Sequence, residues 1–226
     1  MRFFSKLCTK NYFVHVLLAI GLFGLSPKAS AQKDAKAKTI LDKSSEACSG
    51  AKDLTVGFTL EIKDPATAVN ERFDGEILLK GNRFFLSTPE SVTWFDGKTQ
   101  WVYLKSAQEV TVSEPNEVEL RAINPLAVLN SYKTDCNYKF LSEKTDTKNR
   151  KVYEIELIPP RKSEFSRILL QINRTDYIPV FFQLFYKNKT ENRIYVTKYQ
   201  LNQNHPDSLF VFDKKRYPDA EIIDLR

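Results

Sequence analysis

Beyond residue 31 the chain holds only two cysteines, Cys48 and Cys136, and one histidine, His205. A zinc centre draws several ligands from Cys and His, and this set is too small and too dispersed to supply one. Nucleophilic catalysis needs a base beside the nucleophile. His205 stands alone next to Pro206, and there is no Gly-x-Ser-x-Gly elbow. Carboxylate pairs could serve glycoside hydrolysis, but Asp96 falls in a turn signal and Glu109, Glu154 and Glu156 fall on outward strand positions. Gly50, Gly57, Gly75, Gly81 and Gly97 are scattered, so no glycine-rich loop cradles a phosphate. These residues predict no enzyme, no metal and no cofactor. The remaining chemistry is burial of apolar surface and the two cysteines, which suit either one disulfide or a pair of buried thiols.

The N-terminus has the grammar of a secretory leader. Arg2, Lys6 and Lys10 precede an apolar stretch at 12–25, too short for a stable span, and Ala29-Ser30-Ala31 is a small-x-small cleavage signal. Cleavage predicts a soluble exported chain of one domain, residues 32–226. No cysteine stands at the junction, so no lipid anchor is expected there. The leader removes four of the 34 basic residues and no acid, which leaves a formal charge of +2. So small a charge leaves little electrostatic footprint for nucleic acid.

The elements follow from periodicity. Ile40, Leu41, Ser44, Ala47 and Cys48 recur at three-to-four spacing and predict a helix over Ala35–Ser49 that ends at Gly50. Period-two segments then take over: Val56, Phe58, Leu60 and Ile62 first, then 73–80, 83–87 and 109–113. At 92–103, Asp96-Gly97 marks a hairpin turn between arms carrying Trp94, Phe95, Trp101 and Tyr103. Asn124-Pro125 opens a short helix, with Asn as cap and Pro in the first turn. Strands resume at 152–158, 168–173, 180–186, 193–200 and 209–212. This order predicts a large, curled antiparallel sheet with a few helices. The runs at 92–103 and 180–186 are apolar on both faces, so one face of each fills a core or lines a cavity.

An ordered set of segments resembles the periplasmic outer-membrane lipoprotein carriers of the LolA type. Leu54-Thr55-Val56-Gly57-Phe58-Thr59 is similar to a short family strand, and Gly75-Glu76-Ile77-Leu78-Leu79-Lys80 to its Gly-x-Leu-x-x-Lys strand. Arg83-Phe84, Asp96-Gly97-Lys98-Thr99 with Trp101 and Tyr103, Gln108-Glu109-Val110, and Asn124-Pro125-Leu126 with Leu129 follow in family order. Leu209-Phe210-Val211-Phe212 and Glu221-Ile222-Ile223-Asp224 resemble the closing strand and tail. The resemblance implies an incompletely closed antiparallel β-barrel, lidded by α-helices, around a hydrophobic cavity. It implies a monomeric periplasmic chaperone that takes acylated lipoproteins from an inner-membrane transporter and delivers them to an outer-membrane receptor.

Alternation and the resemblance together place Ile40, Leu41, Phe58, Leu60, Phe84, Leu86, Trp94, Trp101, Leu126 and Leu129 in the cavity wall. One departure concerns the lid. The best-studied branch follows its strand lysine with Arg-Pro, whereas Gly81-Asn82 follows Lys80 here, which leaves Arg83 as the candidate lid latch. A Cys48–Cys136 bridge would stiffen the same lid. Two other readings stay open: a related half-barrel carrying another lipid or glycolipid, and an envelope module that senses lipoproteins.

Overall fold

The computed structural model describes residues 34–116, 119–120, 125–134 and 136–226, without the side chains of 125–127. The leader and the Asn124 cap therefore lie outside the described residues. Helix α1, Ala35–Ser49, has the predicted bounds. Asp34 caps it by accepting from the Ala37 amide at 3.0 Å, and the Gly50 amide closes its last turn on the Glu46 carbonyl. Ala37, Ile40, Leu41, Ser44 and Cys48 form its buried stripe.

Twelve strands make one sheet. In chain order they are β1 (Leu54–Asp64), β2 (Val69–Lys80), β3 (Arg83–Ser87), β4 (Ser91–Phe95), β5 (Gln100–Leu104) and β6 (Glu109–Ser113). The short helix α2 (Pro125–Asn130) intervenes. Then come β7 (Asn137–Thr145), β8 (Lys151–Ile158), β9 (Phe165–Asn173), β10 (Pro179–Tyr186), β11 (Glu191–Leu201) and β12 (Glu221–Asp224). The spatial order is β12-β6-β5-β4-β3-β2-β1-β11-β10-β9-β8-β7, so the sheet does not close on itself. Neighbouring strands run antiparallel except β12, which pairs parallel with β6. A free sheet edge is a template for unwanted pairing. The β7 edge is partly covered, because the second Asp34 oxygen accepts from the Phe140 amide at 3.0 Å.

Two elements depart from the sequence reading. Strand β7 is absent from that reading, because Lys139, Ser142, Glu143 and Lys144 on an edge strand blur the apolar alternation. The strand expected at 209–212 is instead a 3-10 turn, Asp207–Phe210, followed by extended chain. That segment crosses the face of interior strands, whose backbone groups are already paired, so no edge is free to receive it. The 92–103 hairpin forms, with a loop at 96–99 between Phe95 and its partner Gln100. Gly97 takes φ +104°, and Asp96 accepts from the amides of Lys98 and Thr99.

The sheet has two differently covered faces. The inner face carries α1 and α2 on a cluster that includes Ile77, Phe84, Phe95, Ile155, Leu170 and Phe182. The outer face of β1 to β6 carries the C-terminal segment, whose Phe212 and Tyr217 pack edge-on against Trp94. On the inner face Phe58 stands directly across from Gly75, with its ring folded onto the glycine. A Cβ at Gly75 would come within 2.4 Å of Phe58 Cζ. Gly75→Ala is therefore expected to swing that ring off the sheet and cost about 1–3 kcal/mol. Urea denaturation would read this, and an unchanged midpoint would mean that the ring has free room to move.

Candidate functional site

The inner face between β1, β10 and β11 leaves a cavity of about 20 Å³, lined by Val56, Phe58, Pro179, Phe182, Ile194, Val196 and Tyr199. A space that size holds roughly one water molecule. What the arrangement offers chemically is an apolar inner face covered by α1 and α2.

The structure sorts the expected wall residues. Ile40, Leu41, Phe84 and Leu129 lie in the inner cluster, and Phe58 and Leu86 pack against it. Leu60 shares their face by alternation and pairs with Ile194, but it is only half-buried and lies outside that cluster. Trp94 and Trp101 are corrections. They pair with each other on the outer face, where Trp94 meets Phe85 and Phe212 and Trp101 packs on the Val110 cluster. On β4 the inner position belongs to Phe95, and moving one residue along a strand exchanges its faces. The Leu126 side chain lies outside the described residues. Phe182, Ile194, Val196 and Tyr199 were missed. They fall in strands apolar on both faces, or displaced by the β1–β11 register shift at Gly57/Phe58, where alternation gives no phase.

The cover is fastened by polar contacts between α1 and the α2 segment. Tyr132 donates to Asp42 at 2.8 Å, Ser45 donates to Asn130 Oδ1 at 2.9 Å, and Lys133 donates to Ser45 Oγ at 2.6 Å. Lys38, above all, and then Tyr132 hold the Asp42 carboxyl below the usual range. Burial, aided by Asp42, pushes the Tyr132 phenol well above its ordinary value. The Ser44 hydroxyl, fully buried on the helix, has no hydrogen-bond partner among the described residues.

Arg83 does not hold this cover. It pairs with Asp207 at 2.9 Å and sits over the Phe210 ring, while Lys80 reaches Asp207 and the His205 carbonyl, each at 2.7 Å. Arg83 thus fastens the C-terminal segment to the outer face, because Phe84 takes the inward position beside it. His205 belongs to the same strap. Its ring shares a 2.8 Å hydrogen bond with Thr55, and its amide donates to the buried Asp53.

Of the two readings open for the cysteines, the structure has the pair of buried thiols, Cys48 and Cys136. Each packs in the inner cluster, and Cys136 Sγ donates to Ser131 at 3.4 Å. Burial pushes the Cys48 thiol up, which keeps it protonated and unreactive. Of the carboxylates, Asp96 caps its turn, Glu154 is salt-bridged to Lys144, and Glu156 lies 3.8 Å from Arg167.

The family model described as "Outer membrane lipoprotein carrier protein LolA" matches residues 28–186. Among solved structures, an uncharacterized conserved protein from Thermus thermophilus aligns with TM-score 0.55 and 13% identity, covering 84% of this chain and 99% of its own. LprF from Mycobacterium bovis aligns with TM-score 0.47 and 14% identity, covering 77% and 97%. The LolA superfamily protein NE2245 from Nitrosomonas europaea aligns with TM-score 0.41 and 15% identity, covering 78% and 98%. No curated protein sequence matches the chain.

Proposed function

Because the chain belongs to the outer membrane lipoprotein carrier family of the LolA type, we propose that it carries acylated lipoproteins across the periplasm. On this reading residues 1–31 are a cleaved leader and the rest is a soluble, monomeric chaperone. It receives cargo from an inner-membrane transporter and yields it to an outer-membrane acceptor. Among the described residues no helix is long and apolar enough to cross a membrane.

The observation that carries the proposal is the apolar inner face, covered by two helices that are held to each other by polar contacts. Acyl chains gain about 0.8 kcal/mol per buried CH₂. A perfectly fitted open pocket would therefore hold several chains too tightly to release. A cover that refills the space when cargo leaves lowers the net affinity. The Ser44 hydroxyl, buried without a partner among the described residues, weakens the covered form by about 1–3 kcal/mol and favours opening. The carrier itself performs no covalent step.

A photo-crosslinking residue at Phe58, introduced in the exported protein and irradiated in living cells, tests this. Adducts bearing acylated N-terminal cysteine peptides are expected. Adducts of free glycolipid or phospholipid would transfer the function to another lipid. Recovery of unmodified protein alone, folded and abundant, would overturn carriage altogether.

A further inference from the structure

We propose that the outer face of β9, β10 and β11 is a second binding site, for a neutral saccharide. A cleft of about 370 Å³ opens there, far larger than the inner cavity and within the roughly 300–1,000 Å³ span of small-ligand sites. Strand register builds its floor. Gln171, Phe181 and Tyr195 are cross-strand partners in one row, and Leu169, Gln183 and Arg193 in the next. The end of β7 and the tip that joins it to β8, residues 144–148 and 150, form one wall.

The lining chooses among ligand classes. An acyl chain is a poor match, because amides, carboxylates and cations make up most of the wall. A strong anion is a weaker match too, because among the described residues three of the four lining cations, all but Lys148, have carboxylate partners. Lys144 pairs with Glu154, Arg150 with Asp146 at 2.7 Å, and Arg193 with Glu191 at 3.3 Å. A peptide cannot add as a strand, because these strands are interior and their backbone groups are consumed by the ladders.

What remains is a paired aromatic surface beside uncharged hydrogen-bonding groups. The Phe181 and Tyr195 ring centroids lie 5.0 Å apart, and both rings are half-buried, which leaves part of their surface for a ligand. A pyranose presents apolar C–H faces suited to such rings and a rim of hydroxyls suited to the amide oxygens of Gln171 and Gln183, whose nitrogens already donate to Glu154 at 3.5 Å and Glu191 at 3.0 Å.

The site lies on the sheet face opposite the helices, so it stands or falls separately from lipid carriage. The test is an NMR titration of the 32–226 chain with chitotetraose, maltotetraose and, as an anionic control, dodecyl phosphate. Saturable shifts of the Phe181 and Tyr195 ring signals and of the Gln183 side-chain amide are expected with at least one oligosaccharide. Tyr195→Ala and Gln183→Ala should each weaken that sugar more than about tenfold, while the inner methyl signals of Ile155 and Leu170 stay in place. Silence toward both sugars at millimolar concentration would overturn the proposal. So would sugar shifts indifferent to both substitutions, or a response to dodecyl phosphate alone.

Discussion

Leu129→Ala is expected to lower folding stability by about 2–5 kcal/mol, the range for emptying a leucine-sized space in a packed core. Leu129 is 1% exposed and belongs to the inner cluster together with Ile40 and Leu41 of α1. It sits in a helix of six residues, too short to persist without its packing. The lost contacts should therefore fall mainly on the closed cover, and the twelve-stranded sheet should remain. Denaturant unfolding read by circular dichroism gives the loss, and hydrogen exchange locates it in α1, α2 and the turn Ser131–Lys133. If the variant instead matches the parent in both measurements, Leu129 does not seal the inner face. The consequence for cargo follows: a weaker closed form competes less with ligand, so crosslinking at Phe58 should rise rather than fall.

Stability is expected to be highest near neutral pH and to fall on both sides. On the acid side several carboxyls are held below their ordinary values in the folded chain. For Asp34 the main cause is the Ala37 amide, then the Phe140 amide; for Asp42 it is Lys38, then Tyr132; for Asp207 it is Lys80, then Arg83. The unfolded chain therefore takes up protons first as pH falls. The stabilisation is complete above about pH 5, wanes through about pH 4, and is lost as pH approaches the depressed folded values. On the alkaline side, burial above all raises the Tyr132, Tyr186, Tyr195 and Tyr217 phenols and the Cys48 thiol. The folded chain keeps these protons longer, so stability declines once pH passes about 9–10. A series of urea midpoints across pH would show the dome. Asp34→Asn should flatten part of its acid limb, because the amide cannot ionise and keeps only one acceptor oxygen for the helix cap and the Phe140 edge amide. A midpoint that rises on acidification would contradict the assignment.

Much of this molecule was legible in one dimension, wherever a local rule was sufficient. Helix α1 followed from its 3.6-residue stripe and closing glycine, and the hairpin around Gly97 from its turn chemistry and aromatic arms. The ordered motifs identified the family, and with it the open half-barrel.

The inner face was legible only in part. Ile40, Leu41, Phe58, Phe84, Leu86 and Leu129 were placed on the inner face because their segments have a clear apolar phase. Trp94 and Trp101 were misplaced because their hairpin is apolar on both sides. The phase there is decided by which face the C-terminal segment covers, and that segment lies more than a hundred residues away in the chain.

The same holds for the fastenings. Arg83 and Asp42 are ordinary charged residues in sequence. Their partners, Asp207 and Tyr132, are chosen by strand order and helix docking. Composition and periodicity thus determined which surfaces must be buried, because transfer of apolar groups from water is a local and additive drive. Only the tertiary structure decided which element buries each surface, because pairing and packing depend on contacts between segments remote in sequence.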